Sequence, residues 1–545
     1  MKKFFILSAL LIISFYSWAQ DLNQNNNGRR QIEIINTNTL EGNEFYGPDI
    51  KILRGDVQFY HDSSFMYCDS AFYNSKQNFF QAFGKFHIIR LLNQGVDTVH
   101  LWSDSANYDG NLKLAKARSN VKMTKDSMVM LTQFLDFDMA NNVAQYFDGG
   151  VTYSGEDSLT SEFAYFYPET DDLKYTKDVI IHDPEYKMYS DLLNYNVKTK
   201  ISSFNSPTRV EGEDLFIYSE LGWYNHNNDV CELTKNSYIK SQNRQFNADT
   251  IYYDRKINYG EGKSNVIIVD TTQDVKFTGN MAKYFDDKQR SILTDKALII
   301  SYSDIDTIYI HADTILTYME QYPNYPDSLY RMVKAYNHVK MFRPDIQTMC
   351  DSMVYNFSDS IIYMYKNPVI WHKENQITAD NIVLYTVNNR IDMAELTNSA
   401  FVIAQVDSIR FNQIFGSNMV AYLDSNKIRE VEVISNANTI YYTQEDSVVT
   451  GMNEISSQDM NIIFDNGKVS KIWFYKNPKG IVHPLELLNR SQEFIEGFIW
   501  YDNHRPRSKN DVFIWNNLTE KGLSIKELQQ KEEEERLAKE ELENE

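Results

Sequence analysis

From about Ile32 to Pro478 the chain alternates apolar and polar residues over short stretches, the period-two pattern of strands with one buried face. Two phrases recur. The first is an acidic residue followed by an apolar-rich strand, as in Asp69-Ser70-Ala71-Phe72-Tyr73-Asn74 and Asp104-Ser105-Ala106-Asn107-Tyr108-Asp109. It returns at Asp191, Glu220, Asp249 and Asp351, with weaker copies from Glu162, Asp295, Asp313, Asp380, Asn418 and Asp459. The second is a short alternating strand introduced by Asn, Gly or Asp: Gly55-Asp56-Val57-Gln58-Phe59, Gly84-Lys85-Phe86-His87-Ile88, Asn120-Val121-Lys122-Met123 and later copies. The anchors at 162, 191, 220 and 249 are 29 residues apart. Two strands per repeat are expected, each with an apolar row that only stacking on neighbouring repeats can bury. The repeated acid reads as structural, opening each strand and bonding local amides in an Asx-type turn.

Composition supports strands. Tyr (37) and Phe (31) are abundant and Pro is scarce (11), a mixture suited to half-buried β-structure in this 545-residue chain. The net charge of −21 repels phosphate backbones, so nucleic acid is not an expected partner. Three Cys exclude a disulfide-stapled scaffold, and Cys68 and Cys350 share one repeat position, which reads as small strand residues rather than a bridge or a nucleophile.

The ends differ from the array. Residues 1–19 read as a cleaved signal peptide, with Lys2-Lys3, the apolar run Phe4 to Phe15, and Ser17 and Ala19 at the small-residue positions. Export to the periplasm or cell envelope follows. No Cys succeeds the cleavage region, so a lipoprotein anchor is unsupported. Residues 20–31 form a loose Asn-rich segment, 32–321 a first set of repeats, and 328–480 a second. Tyr322-Pro323-Asn324-Tyr325-Pro326-Asp327 lies between them, as a separator of sub-arrays or simply a loop. Residues 481–517 depart from the repeat, and 518–545 are a charged helical tail of net charge −5 with a capping box at Ser524 and Glu527.

Sharper motifs carry little. Gly260-Glu261-Gly262-Lys263-Ser264 ends like a phosphate-binding loop, but Ile257 stands at the upstream Gly position. Arg54-Gly55-Asp56 sits where other repeats place their punctuation. The ten His form no zinc-protease pair. No catalytic residue, metal or cofactor is expected.

The run Leu53-Arg54-Gly55-Asp56-Val57-Gln58-Phe59, then Met66-Tyr67-Cys68-Asp69-Ser70-Ala71-Phe72-Tyr73, then Phe83-Gly84-Lys85-Phe86-His87-Ile88, resembles the OstA-like family. These are periplasmic lipopolysaccharide-transport proteins that include LptA and the N-terminal domain of LptD. The resemblance is strongest over Ile32 to about Val151 and continues more weakly to about Pro478. It implies an all-β fold, an elongated twisted β-jellyroll of two-strand repeats with a short charged C-terminal helix, whose open interior carries lipid A acyl chains toward the outer membrane. It implies no catalysis. The residues it assigns to the lipid are the inward apolar row: Val57, Phe59, Ala71, Tyr73, Phe86, Ile88, Tyr108, Val121 and Met123. Periodicity alone would make these rows closed core.

The implied partners are lipopolysaccharide, other OstA-like jellyroll modules joined edge to edge, and a separate outer-membrane barrel. The chain departs from the family in its length and in carrying no barrel-strand signature after the repeats, so it is expected to be a long bridge by itself or the partner of such a barrel. The rival reading is an extracellular polysaccharide-binding or polysaccharide-cleaving β-solenoid, which requires outward aromatic platforms and, for cleavage, paired carboxylates.

Overall fold

A computed structural model describes residues 31–516, apart from 43–46, 242–243, 272–273, 286–288, 303–305, 388–389, 425–426, 446–447, 466–467 and 489–491, together with positions 527, 530 and 537. The expected signal peptide, nearly all of the expected loose Asn-rich segment and most of the expected charged tail lie outside the described residues. Between 31 and 516 the described chain is antiparallel β-structure with short 3₁₀ turns and no α-helix. The fold is all-β, as the alternation predicts. It divides into two compact units, Met1–Glu213 with Trp223–Asn227, and Asp214–Gly222 with Asn228–Glu545.

In the first unit successive strands pair as hairpins, but each long strand bends once in its middle. Strand Ile50–His61 pairs with Ser64–Asn74, and the register breaks between Arg54 and Val57. Ser64–Asn74 with Phe79–Leu92 breaks between Tyr67 and Ser70, and Phe79–Leu92 with Asp97–Asp109 between Phe83 and Phe86. The bends line up, so every strand contributes half its length to each of two facing arms. One arm holds 50–54, 70–74, 79–83, 105–109 and 114–118; the other holds 57–61, 64–67, 86–92, 97–102 and 121–125.

The cause is two successive left-handed residues on alternate strands. They are Gly55-Asp56 (φ 81 and 44), Gly84-Lys85 (75 and 46), Ser119-Asn120 (63 and 50) and Lys177-Asp178 (67 and 52). Such a pair acts as a β-bulge that re-aims the strand, and small or locally bonding side chains tolerate it best. The punctuation before the second strand type is therefore a corner within a longer strand.

The repeated acid sits on the neighbouring strand at this corner. It bonds the corner's side chain rather than local amides. Asn120 Nδ2 donates to Asp104 Oδ2 at 2.7 Å, Asn265 Nδ2 to Asp249 Oδ2 at 2.8 Å, and Asn236 Nδ2 to Glu220 Oε1 at 2.8 Å. Lysines serve elsewhere, as in Lys235–Glu220 and Lys476–Asp459, both at 2.7 Å. The acid's backbone N–H meets the corner carbonyl as well: Glu162 to Lys177 O at 3.1 Å, Asp249 to Ser264 O at 3.0 Å and Asp380 to Asn398 O at 3.0 Å. At Gly84 a Cβ would lie 2.5 Å from Asp69 Oδ2, so both the positive φ and the close approach favour glycine.

The second unit repeats this plan of two arms. Its longest strands, Thr307–Tyr322 and Tyr325–Arg343, are joined by a tight turn at Pro323-Asn324, so the Tyr322–Asp327 segment is a hairpin inside this unit. The last strand, Lys479–Pro484, pairs with Val448–Ser457 and carries the array a few residues past Gly480.

Beyond it, the chain from Glu493 to Trp515 crosses the outer face of one arm as a strap. Gln413 donates to Glu493 O at 2.7 Å and accepts from Ile495 N at 2.9 Å. Gln376 repeats the pattern with Ile499 O at 2.8 Å and Tyr501 N at 2.7 Å. Gln347 accepts from Arg505 Nε at 2.7 Å, and Lys340 donates to His504 O at 3.1 Å and Ile514 O at 2.6 Å. Trp500 packs with Phe401, Ile403 and Phe411 beneath the strap, and Tyr501 and Trp515 pack on Met349, Val369 and Trp371. This arm is covered on both faces, which explains why Val369-Ile370-Trp371 and Phe401-Val402-Ile403 are continuous apolar runs.

Candidate functional site

The nine residues of the predicted row all point between the arms of the first unit. Each is at most 3% exposed, so the interior there is filled by the protein's own side chains. Phe59 stacks on Phe80 with centroids 4.3 Å apart, and Tyr73, Phe86 and Tyr108 complete an aromatic cluster around that pair. Tyr146, Tyr175 and Tyr195 fill later rungs in the same way.

Where the arm tips meet, polar contacts cross from one arm to the other. His61 Nδ1 pairs with Tyr108 OH at 2.7 Å, Arg90 donates to Met139 O at 3.2 Å, and Lys125 forms an ion pair with Asp171. Tyr195 OH donates to Ser154 Oγ at 3.1 Å, and Tyr186 OH pairs with His226 Nδ1 at 2.8 Å. These contacts latch the mouth of the first unit along successive rungs.

The second unit contains an open apolar cleft of about 110 Å³ between its arms. One wall is Ile382, Leu384, Ile391, Ala394, Leu396, Met419, Ala421, Leu423, Ile428, Val431 and Phe464; the other is Ile346, Ile370, Ile377, Val402 and Ile414. The first wall crosses five neighbouring strands, and four strand spacings of about 4.8 Å make it roughly 19 Å long. A bilayer core is about 30 Å thick, so the acyl chains of one leaflet span about 15 Å, somewhat less than this wall. Among the described lining residues, only Arg343, Asp345 and His372 bring charge or a titratable group to it. Arg343 and Asp345 neutralise each other in a two-bond pair of 2.5 and 3.0 Å, and burial lowers the pKa of His372, which keeps that ring neutral.

The two interiors differ in side-chain size. The largest wholly buried rings between the arms, such as Phe59, Phe80, Tyr108, Phe137, Tyr146, Tyr175 and Tyr195, belong to the first unit. The cleft walls are mostly aliphatic, with Phe464 the one ring among the described lining apart from His372 and with Ala394 and Ala421 facing the gap, and they leave space that rings occupy elsewhere. The sequence reading missed this cleft and the strap. The scarcity of inward aromatics after about residue 370 and the continuous apolar runs over Val369–Trp371 and Phe401–Ile403 were the available signals.

The remaining motifs are structural. Gly260 to Ser264 lies within strand Tyr259–Asp270, where Lys263 pairs with Glu261 at 3.4 Å, and Arg54-Gly55-Asp56 forms a corner. Cys68, Cys231 and Cys350 are buried free thiols, each pushed up to about 12 chiefly by burial, which makes them poor nucleophiles. Among the described residues no group of three or more His, Cys, Asp or Glu could hold a metal ion, and no helix is long and apolar enough to cross a membrane.

Aromatic residues also reach the outer surface. His87 stacks on Trp102 at 4.6 Å and lies 3.1 Å from His100 through ring nitrogens, with Tyr67 5.8 Å away on its other side.

No curated protein matches the chain. Residues 29–191 match the family model described as OstA-like protein, covering the strands from which the resemblance was read. This stretch of the chain, with its bent strands, stacked corners and inward apolar row, is OstA-like.

Proposed function

We propose that the protein is a non-catalytic carrier of lipopolysaccharide in the periplasm, passing lipid A acyl chains between its arms toward the outer membrane. The observation that carries this reading is the open, almost wholly apolar cleft of the second unit, in a chain whose first part is OstA-like. Fully burying a 14-carbon chain is worth about 11 kcal/mol at about 0.8 kcal/mol per methylene. Release into water is then too slow for transport. Neighbouring rungs avoid it, because each step exchanges one apolar contact for a similar one while an energy source elsewhere sets direction. In the first unit Val57, Phe59, Ala71, Tyr73, Phe86, Ile88, Tyr108, Val121 and Met123 serve the same purpose once the latches at His61, Arg90 and Lys125 part. Edge strands would join other OstA-like modules by backbone pairing, and a separate outer-membrane barrel is the proposed acceptor.

Co-purification tests the reading. Protein prepared without detergent from a lipopolysaccharide-producing cell carries lipopolysaccharide if the reading holds; lipid-free protein that also fails to bind added lipopolysaccharide refutes it. The rival reading, polysaccharide binding on the outer surface, draws on the Tyr67–His87–Trp102 stack. It predicts binding of lipid-free polysaccharide that Trp102→Ala abolishes.

A further inference from the structure

The second unit holds another interior space, distinct from the apolar cleft. It is a chamber of about 490 Å³, within the usual range for ligand pockets. Its walls are mixed. Phe246, Ile268 and Phe277 line it together with Arg244, Arg331 and Thr317.

The polar groups are arranged unusually for an interior. Asp270, 4% exposed at its side chain, places one carboxylate oxygen 3.3 Å from Arg244 Nε and 3.4 Å from Arg331 Nη2. Arg244 Nη2 also donates to Gln289 Oε1 at 2.7 Å. Among the described residues of the lining, these two arginines and Asp270 are the ones ordinarily ionised at neutral pH, two positive charges against one negative. Two buried polar atoms on the lining residues, Arg331 Nε and Thr317 Oγ1, have no hydrogen-bond partner among the described residues. Thr317 is 4% exposed, and burial together with the neighbouring Arg244 destabilises the Arg331 cation. Buried donors and uncompensated charge are costly, and both would be relieved by a single anion. The donors lining the chamber come from both arms, Arg244 from one and Arg331 and Thr317 from the other. Acceptors must therefore face several directions, as the oxygens of a phosphate do and the planar pair of a carboxylate does not.

We infer that this chamber binds the phosphate group of an amphiphile through Arg244, Arg331 and Thr317, with the adjoining apolar part of the ligand against Phe246, Ile268 and Phe277. The identity of that apolar part rests on the lipid-carrying reading; the anion site itself does not.

The test uses the full chain with three probes: lipopolysaccharide, the same lipid after enzymatic dephosphorylation, and inorganic phosphate followed by phosphorus NMR. Arg331→Gln is expected to weaken binding of the phosphorylated lipid by about tenfold or more, the scale of a charge-assisted contact, and to leave the dephosphorylated lipid unchanged. Thr317→Val gives a smaller loss with the same selectivity, and serves if Arg331→Gln fails to fold. Arg331→Lys restores part of the affinity. Equal binding of both lipids by wild type and both variants overturns the anion site while sparing the carrier reading. If neither lipid binds the wild type, the carrier reading falls. Inorganic phosphate then decides the site: binding lost in Arg331→Gln supports it, and no binding to the wild type overturns it.

Discussion

Replacing Gln376 by Ala should release the middle of the strap without unfolding the sheet beneath it. The Gln376 amide is wholly buried, donating to Ile499 O at 2.8 Å and accepting from Tyr501 N at 2.7 Å. Its loss removes two hydrogen bonds at about 1 kcal/mol each, so the local opening equilibrium shifts by about 2 kcal/mol, or roughly 30-fold. Amide hydrogen exchange reads this directly. Tyr501 N–H should exchange about 30-fold faster in Gln376→Ala, while Ile495 N–H, held by Gln413 at 2.9 Å, keeps its protection. Gln413→Ala should reverse the pattern. Exchange at Tyr501 within about threefold of wild type would refute the clip, because an amide that bonds two strap groups cannot be removed without cost.

Three further outcomes follow from the geometry. Phe59→Ala removes one ring of the 4.3 Å stack with Phe80 and should cost about 3–5 kcal/mol in urea unfolding; a loss below about 1 kcal/mol would mean the interior is not packed as described. Gly84→Ala places a Cβ 2.5 Å from Asp69 Oδ2 at a residue with φ 75, and should lower stability by about 1–3 kcal/mol. Asp69→Ala in the same chain should recover part of that loss, and no recovery would count against the contact. Burial, followed by the neighbouring His100, pushes His87 down to about 4. In the window from pH 6.5 to 4 the unfolded chain takes up a proton that the folded one refuses, so stability falls as pH drops. Discounted for the half-exposed ring, His87 should contribute about 1 kcal/mol to the stability difference between pH 7 and pH 5, and His87→Phe should shrink that difference by this amount; an unchanged pH dependence in that variant would exclude the contribution.

Much of the fold was legible because its determinants are local. Alternation at Ala71/Tyr73, Ala106/Tyr108 and Ile251/Tyr253 marks one buried face, and the 29-residue spacing of Glu162, Asp191, Glu220 and Asp249 marks the stacking unit. The corners were misread for a physical reason. Gly84-Lys85 and Ser119-Asn120 consist of residues that also begin strands, and only their consecutive left-handed φ values show that the strand continues through the bend. The acid's partner was hidden because Asp104 and Asn120 lie 16 residues apart and meet only across the paired strands. The inward direction of Val57 to Met123 followed from parity, but parity is silent about filling. Whether a row meets rings, as Phe59 meets Phe80, or faces a gap, as Ala394 and Ala421 do, depends on side chains contributed by the opposite arm. The strap lay further beyond reach, since Gln376 and Gln413 follow other polar residues, Asn375 and Asn412, and find their partners 80 or more residues away.

The central claim is that acyl chains occupy the gap between the arms. A photo-reactive amino acid placed at Ile391 or Ala421 in the cleft, and at Tyr385 on the opposite side of the same strands, tests it in living cells. The account predicts lipopolysaccharide captured from Ile391 and Ala421 and none from Tyr385. Capture from Tyr385 alone, or from no position while the protein is folded and exported, would contradict it.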